Sequence, residues 1–159
     1  MRVGFGYDVH PLILGRKLIL GGEVIPCQKG LDGHSDADVL IHSLIDALLG
    51  AAGEGDIGQH FPDNHEQYKD ISSLKLLKKT YEILKRKEFA INNIDVSVVL
   101  EEPRIAPFIN GMRNNIAQVL KISFKEINIK ATTNERMGFI GRGEGVASYC
   151  VVSIDSCIK

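Results

Sequence analysis

Asp8 and His10 stand two positions apart in Gly6-Tyr7-Asp8-Val9-His10. In an extended segment alternate side chains project to the same side, so this pair can meet one metal ion. The bland reading is a turn carrying a solvated histidine. Asp38, His42 and Asp46 follow at i, i+4 and i+8, the spacing of one helical face. Packing alone would be served by an Asp38 confined to the helix start and a His42 hydrogen-bonded to Asp46. Taken jointly, Asp8, His10 and His42 make two imidazoles and a carboxylate, the ligand count of a catalytic zinc site with a fourth position open.

Three further stretches carry polar chemistry. In Glu54-Gly55-Asp56-Ile57-Gly58, running on to His60-Phe61-Pro62-Asp63-Asn64-His65, carboxylates beside glycine amides suit a polyhydroxylated ligand. A solvated turn is the alternative, and for His60 and His65 it is favoured over metal ligation. Lys130-Ala131-Thr132-Thr133-Asn134-Glu135 ends in two hydroxyls and an acid. Threonines can bind phosphate oxygens, and one glutamate with phosphate oxygens and waters can hold magnesium. Gly138-Phe139-Ile140-Gly141-Arg142-Gly143-Glu144-Gly145 is neither a Walker loop nor a dinucleotide fingerprint. It reads as close packing, with Arg142 and Glu144 pointing to a subunit contact or a surface ion pair. No serine or cysteine shows the partners of an activated nucleophile.

Those groups need elements to hold them. Val3, Phe5 and Tyr7 alternate with glycines that allow close backbone approach, a short strand ended by Asp8-Val9-His10-Pro11. Lys17–Leu20 and Glu23–Ile25 around Gly21-Gly22 predict a hairpin. Ser35 is expected to cap a helix from Ala37 to Ala52, with Val39, Leu40, Leu44, Ile45, Leu48 and Leu49 as its apolar residues. The stretch from Gly53 to Ile71 has no periodicity and is long enough to suggest a functional loop. A helix over Ser73–Lys87, a strand over Ile94–Leu100, a helix over Ile105–Leu120 and strands over Ile127–Thr132 and Val146–Ile154 complete the pattern. This order predicts one α+β domain over residues 1–159, a mixed β-sheet with helices packed on one face.

The chain has 159 residues, 19 basic against 20 acidic side chains, and 44% hydrophobic residues. A domain of this size can bury a core without disulfide or metal. A net charge of −1 argues against a nucleic-acid binder, which would carry a basic excess. Cys27, Cys150 and Cys157 are odd in number and lack CxxC spacing, so they read as reduced thiols. No signal peptide and no membrane span are expected. The compartment is then cytoplasmic, or an organelle stroma after removal of a transit peptide.

Gly6-Tyr7-Asp8-Val9-His10, Gly33-His34-Ser35-Asp36-Ala37-Asp38-Val39-Leu40-Ile41-His42, Asp46-Ala47-Leu48-Leu49-Gly50-Ala51, Gly55-Asp56-Ile57-Gly58, Phe61-Pro62-Asp63, Lys130-Ala131-Thr132-Thr133 and the Gly138–Gly145 segment follow one another along the chain. Together they resemble the 2-C-methyl-D-erythritol 2,4-cyclodiphosphate synthases of the non-mevalonate isoprenoid pathway. The resemblance implies a homotrimer with sites between neighbouring subunits, one zinc per site, and magnesium or manganese bridging the substrate's phosphates. It implies a phosphorus–oxygen lyase that closes 4-diphosphocytidyl-2-C-methyl-D-erythritol 2-phosphate into the 2,4-cyclodiphosphate and releases CMP.

Carried onto this chain, the resemblance makes Asp8, His10 and His42 the zinc ligands and Glu135 the magnesium ligand. His34 and Thr133 would steady the phosphoryl groups, with Ser35 and Asp46 also at the substrate. Asp56, Ile57 and Gly58 would hold the erythritol part together with Phe61, Pro62, Asp63, Asn64 and His65. Cytidine would lie between Leu100, Pro103, Arg104, Ile105 and Ala106 on one side and Ala131, Thr132 and Thr133 on the other. Phe139 and Arg142 complete the substrate set and, with Glu144, approach the three-fold axis, where a prenyl diphosphate is the expected occupant. Ala37, Arg104, Asn134 and Met137 depart from the usual glycine, lysine, threonine and leucine. Two other readings stay open on the residues: a zinc phosphohydrolase, and a trimeric binding module whose zinc is closed by Asp46 or another residue.

Overall fold

The computed structural model describes residues 1–62 and 66–157. Strand β1 runs over Arg2–Leu14, so Asp8-Val9-His10-Pro11 lies inside it rather than ending it. Pro11, with no N–H to donate, sits where β1 changes neighbours: Pro11 faces Gly145, and Leu12 faces Leu31. Strands β2 (Leu18–Leu20) and β3 (Glu23–Ile25) form the expected hairpin. Its turn uses Gly21 and Gly22 at φ 56° and 76°, the left-handed backbone that glycine adopts without steric cost. Strand β4 (Lys29–Leu31) was not anticipated, being too short to show a period.

Helix α1 spans Val39–Ala52, capped by Asp38 and not by Ser35. Ala37 has φ 55°, outside the helical region, so no helix can run through it. The Asp38 carboxylate accepts from Ile41 N, Gly21 N and Gly22 N, tying the hairpin turn to the helix start. Residues 53–71 contain a one-turn helix α2 (Ile57–His60) and a 3₁₀ turn at Glu66–Tyr68, so the stretch is not structureless. Helix α3 covers Ser73–Arg86, and strand β5 covers Phe89–Val99. The helix expected from Ile105 divides into a 3₁₀ turn (Ala106–Phe108) and α4 (Ile109–Leu120). After a 3₁₀ turn at Phe124–Glu126 come β6 (Ile127–Thr132), a one-turn α5 (Gly138–Gly141) and β7 (Gly145–Ser156).

Five strands form one sheet in the order β4-β1-β7-β5-β6. Only the β5–β6 pair is parallel, which makes the sheet mixed, as expected. Alternation along β7 separates its faces: Val146, Ser148, Cys150, Val152 and Ile154 are buried, while Tyr149 and Val151 are exposed. The buried face carries α1, with α3 against α1 and α4 against α3. Leu40, Leu44 and Leu48 of α1 join Leu77, Val96, Met112 and Val152 in one hydrophobic cluster. On the other face Val3, Phe5, Tyr7, Tyr149 and Val151 remain 40–61% exposed. Among the described residues no helix is long and apolar enough to cross a membrane.

Candidate active site

Gly4, Gly6, Asp8 and His10 occupy the face of β1 that meets α1. The two glycines set the distance: a Cβ at Gly4 would lie 1.9 Å from Ala47 O, and one at Gly6 would lie 2.0 Å from Ser43 O. Two strand residues advance about 6.6 Å and one helical turn about 5.4 Å. Beyond the Gly6–Ser43 contact, Asp8 reaches with its side chain to His42, the neighbour of Ser43 on α1. The sequence predicted close approach at these glycines, and the partner is α1 itself.

Three ligand atoms converge there. Asp8 Oδ2 lies 3.0 Å from His10 Nε2 and 3.1 Å from His42 Nδ1, and the two imidazole nitrogens are 3.2 Å apart. A tetrahedral centre with bonds near 2.0 Å has edges of about 3.3 Å, so the triangle fits one face of such a centre. Asp8, His10 and His42 form the metal-competent group found among the described residues. His10 Nδ1 lies 2.8 Å from the Asp32 carbonyl and must donate to it, which turns the Nε2 lone pair toward the cluster. Burial raises the Asp8 carboxyl, but the His10 and His42 imidazoles beside it outweigh that effect and hold the group below its ordinary value. That favours the ionised form a metal needs.

A cleft of about 210 Å³ opens over this triad. His34, Ser35, Ile57, Gly58 and Phe61 line it, and so do Tyr68 and Leu76, which had no signal in motif spacing. Asp46 does not bond His42. Its carboxylate accepts from Ile57 N at 3.1 Å, anchoring the start of α2. Asp56 caps α2 through Gln59 N at 2.9 Å. Both carboxylates therefore shape the wall carrying Ile57 and Gly58. Pro62 follows Phe61 in the chain, and Asp63, Asn64 and His65 lie outside the described residues. Arg16, absent from the sequence reading, donates to Asp32 Oδ1, Gly33 O and Ser35 O, fixing the loop that presents His34.

A second cleft, of about 220 Å³, lies where β5 and β6 end in parallel register. Leu100, Pro103, Arg104, Ile105 and Ala106 line it together with Ala131, Thr132 and Thr133, the residues the resemblance assigns to cytidine. Glu135 accepts from Thr133 Oγ1 at 2.9 Å. Neither Thr133 nor Glu135 lines the first cleft, and the two clefts share no lining residue. Phe139 and Arg142 line neither of them. Arg142 borders a third hollow beside Lys29 and Glu102 and forms a two-pronged ion pair with Glu144, at 2.8 and 3.0 Å.

The YgbB family model matches residues 1–155. The chain belongs to this family of 2-C-methyl-D-erythritol 2,4-cyclodiphosphate synthases. The family member of that name from Alkaliphilus metalliredigens (strain QYMF) is 58% identical over 154 residues, covering 97% of both chains. Two solved structures carry the YgbB-family fold. The bifunctional IspDF from Campylobacter jejuni is 44% identical with a TM-score of 0.93, and the match spans 96% of this chain and 42% of that longer one. The Plasmodium falciparum IspF CDP complex is 31% identical with a TM-score of 0.84, over 96% of this chain and 94% of that one.

Proposed function

We propose that the chain converts 4-diphosphocytidyl-2-C-methyl-D-erythritol 2-phosphate to 2-C-methyl-D-erythritol 2,4-cyclodiphosphate and CMP, as a homotrimer whose sites lie between neighbouring subunits. One observation carries this reading: a single chain bears two clefts with no common residue, one with a metal triad and one at the β5–β6 end. Joining the first cleft of one subunit to the second cleft of its neighbour supplies a metal, a sugar-phosphate wall and a nucleoside slot together. The apolar sheet face supports the assembly. Tyr7 and Tyr149 pack with tilted rings at 5.0 Å between centroids and Phe5 adjoins Tyr149 at 6.4 Å, a patch that a second and third copy would cover.

In the reaction a 2-phosphate oxygen attacks the β-phosphorus, the bond from that phosphorus to the bridging oxygen breaks, and CMP leaves with the bridging oxygen. The nucleophile is already an anion, so no base is needed. Asp8, His10 and His42 fit zinc, which when bound supplies Lewis acidity and an open position for a phosphate oxygen. Glu135 offers the single carboxylate with which magnesium or manganese commonly joins substrate phosphates. His34 and Thr133 orient the phosphoryl groups from opposite subunits. Ile57, Gly58 and Phe61 hold the erythritol chain curled, and holding reactive groups aligned contributes up to about 7–11 kcal/mol. The Plasmodium falciparum relative forms a CDP complex, which supports a cytidyl substrate, and the cleft between Leu100–Ala106 and Ala131–Thr133 is the slot this reading gives its cytidine.

At the three-fold axis, Phe139 provides apolar wall and Arg142 a cation partly balanced by Glu144, which suits a prenyl diphosphate. The free thiols Cys27, Cys150 and Cys157 accord with a reducing, cytoplasm-like compartment. Phosphorus NMR of the protein with the cytidyl substrate, zinc and magnesium tests the reaction. A cyclic diphosphate signal with stoichiometric CMP is expected, and inorganic phosphate in its place would assign a phosphohydrolase.

A further inference from the structure

His42 turns Nδ1 to the triad and Nε2 to two hydroxyls, Ser73 Oγ at 2.9 Å and Ser35 Oγ at 3.1 Å. A hydroxyl can donate or accept, so these two distances alone leave the imidazole tautomer undecided. Asp36 decides it. The Ser73 hydroxyl is in short contact with Asp36 Oδ1, and Asp36 Oδ2 accepts from Ser73 N at 2.9 Å. An ionised carboxylate only accepts, so the Ser73 proton is committed to Asp36. The Ser73 oxygen can then serve His42 only as an acceptor, and the proton between them belongs to His42 Nε2. Ser35 Oγ already accepts from Ala37 N at 3.2 Å and imposes no contrary demand.

We infer that Asp36 and Ser73 are positioning residues that hold His42 as the Nε2–H tautomer, so that its Nδ1 lone pair faces Asp8 and His10. This rests on the metal reading above and adds the acid and hydroxyl behind one ligand. The arrangement is a carboxylate–hydroxyl–imidazole chain, the outer support that orients metal-binding histidines. It is built into the fold. Ser72 precedes α3 without a side-chain cap bond, and Asp36 takes the Ser73 amide in its place. The same segment pairs twice more with the approach to α3, through Asp36 N to Ile71 O and Asp70 N to His34 O. The start of α3 is thus fastened to the loop bearing His34 and Ser35, and Ser73 is wholly buried, so it cannot exchange His42 for bulk water.

The test uses full-length protein and two readouts: nitrogen-15 NMR of His42 in the chelated protein near pH ~8, above the ordinary imidazole range, and zinc affinity by chelator competition. Wild type is expected to show Nε2–H. Ser73→Ala is expected to mix the tautomers and weaken zinc binding by about 10- to 100-fold. Asp36→Asn, which keeps the shape but releases the Ser73 proton, is expected to shift the tautomer with Ser73 still present. Ser72→Ala, removing the adjacent hydroxyl, is expected to change neither readout. A wild-type His42 protonated on Nδ1 overturns the inference, as do wild-type tautomer and affinity in both Ser73→Ala and Asp36→Asn. If wild type shows Nε2–H yet binds no zinc, the metal reading falls and the positioning assignment stands.

Discussion

Removing the His42 imidazole leaves Asp8 and His10 on adjacent alternate positions of β1, two donors where a catalytic zinc takes three from protein. His42→Ala is therefore expected to lose bound zinc and cyclisation together. The fold should survive, because Leu40, Ile41, Leu44, Ile45 and Leu48 still bury the core side of α1. Metal analysis and circular dichroism check this, and a full zinc complement in the variant would remove His42 from the ligand set. The residues around the ligands divide by what they touch. His34 and Ser35 line the cleft directly, whereas Asp32 reaches it only through the Nδ1–H of His10.

At the scale of elements, the packing of α1 on β1 controls the triad. A methyl at Gly6 would have to displace Ser43 O, the backbone next to His42. Gly6→Ala is thus expected to cost about 1–3 kcal/mol or more and to weaken zinc binding as well. Gly50→Ala is the control: its Cβ meets nothing within 4 Å, and alanine in a helix gains roughly 0.5–1 kcal/mol over glycine. Urea unfolding with zinc titration separates the two. Asp38, buried at the head of α1, gives a pH signature. Burial, and then the charge of Asp36, pushes its carboxyl up to about 6 from 3.8 despite three backbone donors. A raised acid pKa means the folded state holds the proton more tightly, so this stabilisation is complete below about 4 and is lost as pH rises through about 6. The swing is roughly 3 kcal/mol at about 1.4 kcal/mol per pH unit. Asp38→Asn does not titrate, and its amide would face Gly22 N–H, so it should be less stable at pH ~4. Its deficit should shrink toward pH ~7. A deficit independent of pH, in melting curves across that range, would contradict the linkage.

For the whole molecule, the exposed aromatic face and the two unconnected clefts make the same demand. Phe5 is 60% exposed and lies on the sheet face away from the triad, so Phe5→Glu should leave zinc affinity intact. In the proposed trimer that charge would be buried between copies, so it is expected to separate the subunits and abolish turnover by removing the neighbour's cleft from each site. Sedimentation, zinc content and CMP release measure the three consequences. A Phe5→Glu protein that stays trimeric would take this face out of the interface, and an active monomer would sink the shared-site reading.

What the chain determines by itself is what depends on local period and residue type. The Gly21-Gly22 hairpin, β6 at Ile127–Thr132, the apolar stripe of α1 and the donor set Asp8, His10 and His42 are all legible in order of residues. So was the grouping of Leu100–Ala106 with Ala131–Thr133, through its resemblance to the synthases. Tertiary structure decided the rest, wherever the deciding partner is remote in sequence. Strand β1 continues past Pro11 because β4 and β7 offer it successive partners. Asp38 displaces Ser35 as the cap of α1 because Ala37 leaves the helical region and the hairpin turn supplies two more amides. Asp46 turns to Ile57 rather than His42, and Ser73, 31 positions from His42, takes up its other nitrogen. A hydrogen bond depends on where two groups meet in space, and spacing along the chain reports that only within one strand or a few helical turns.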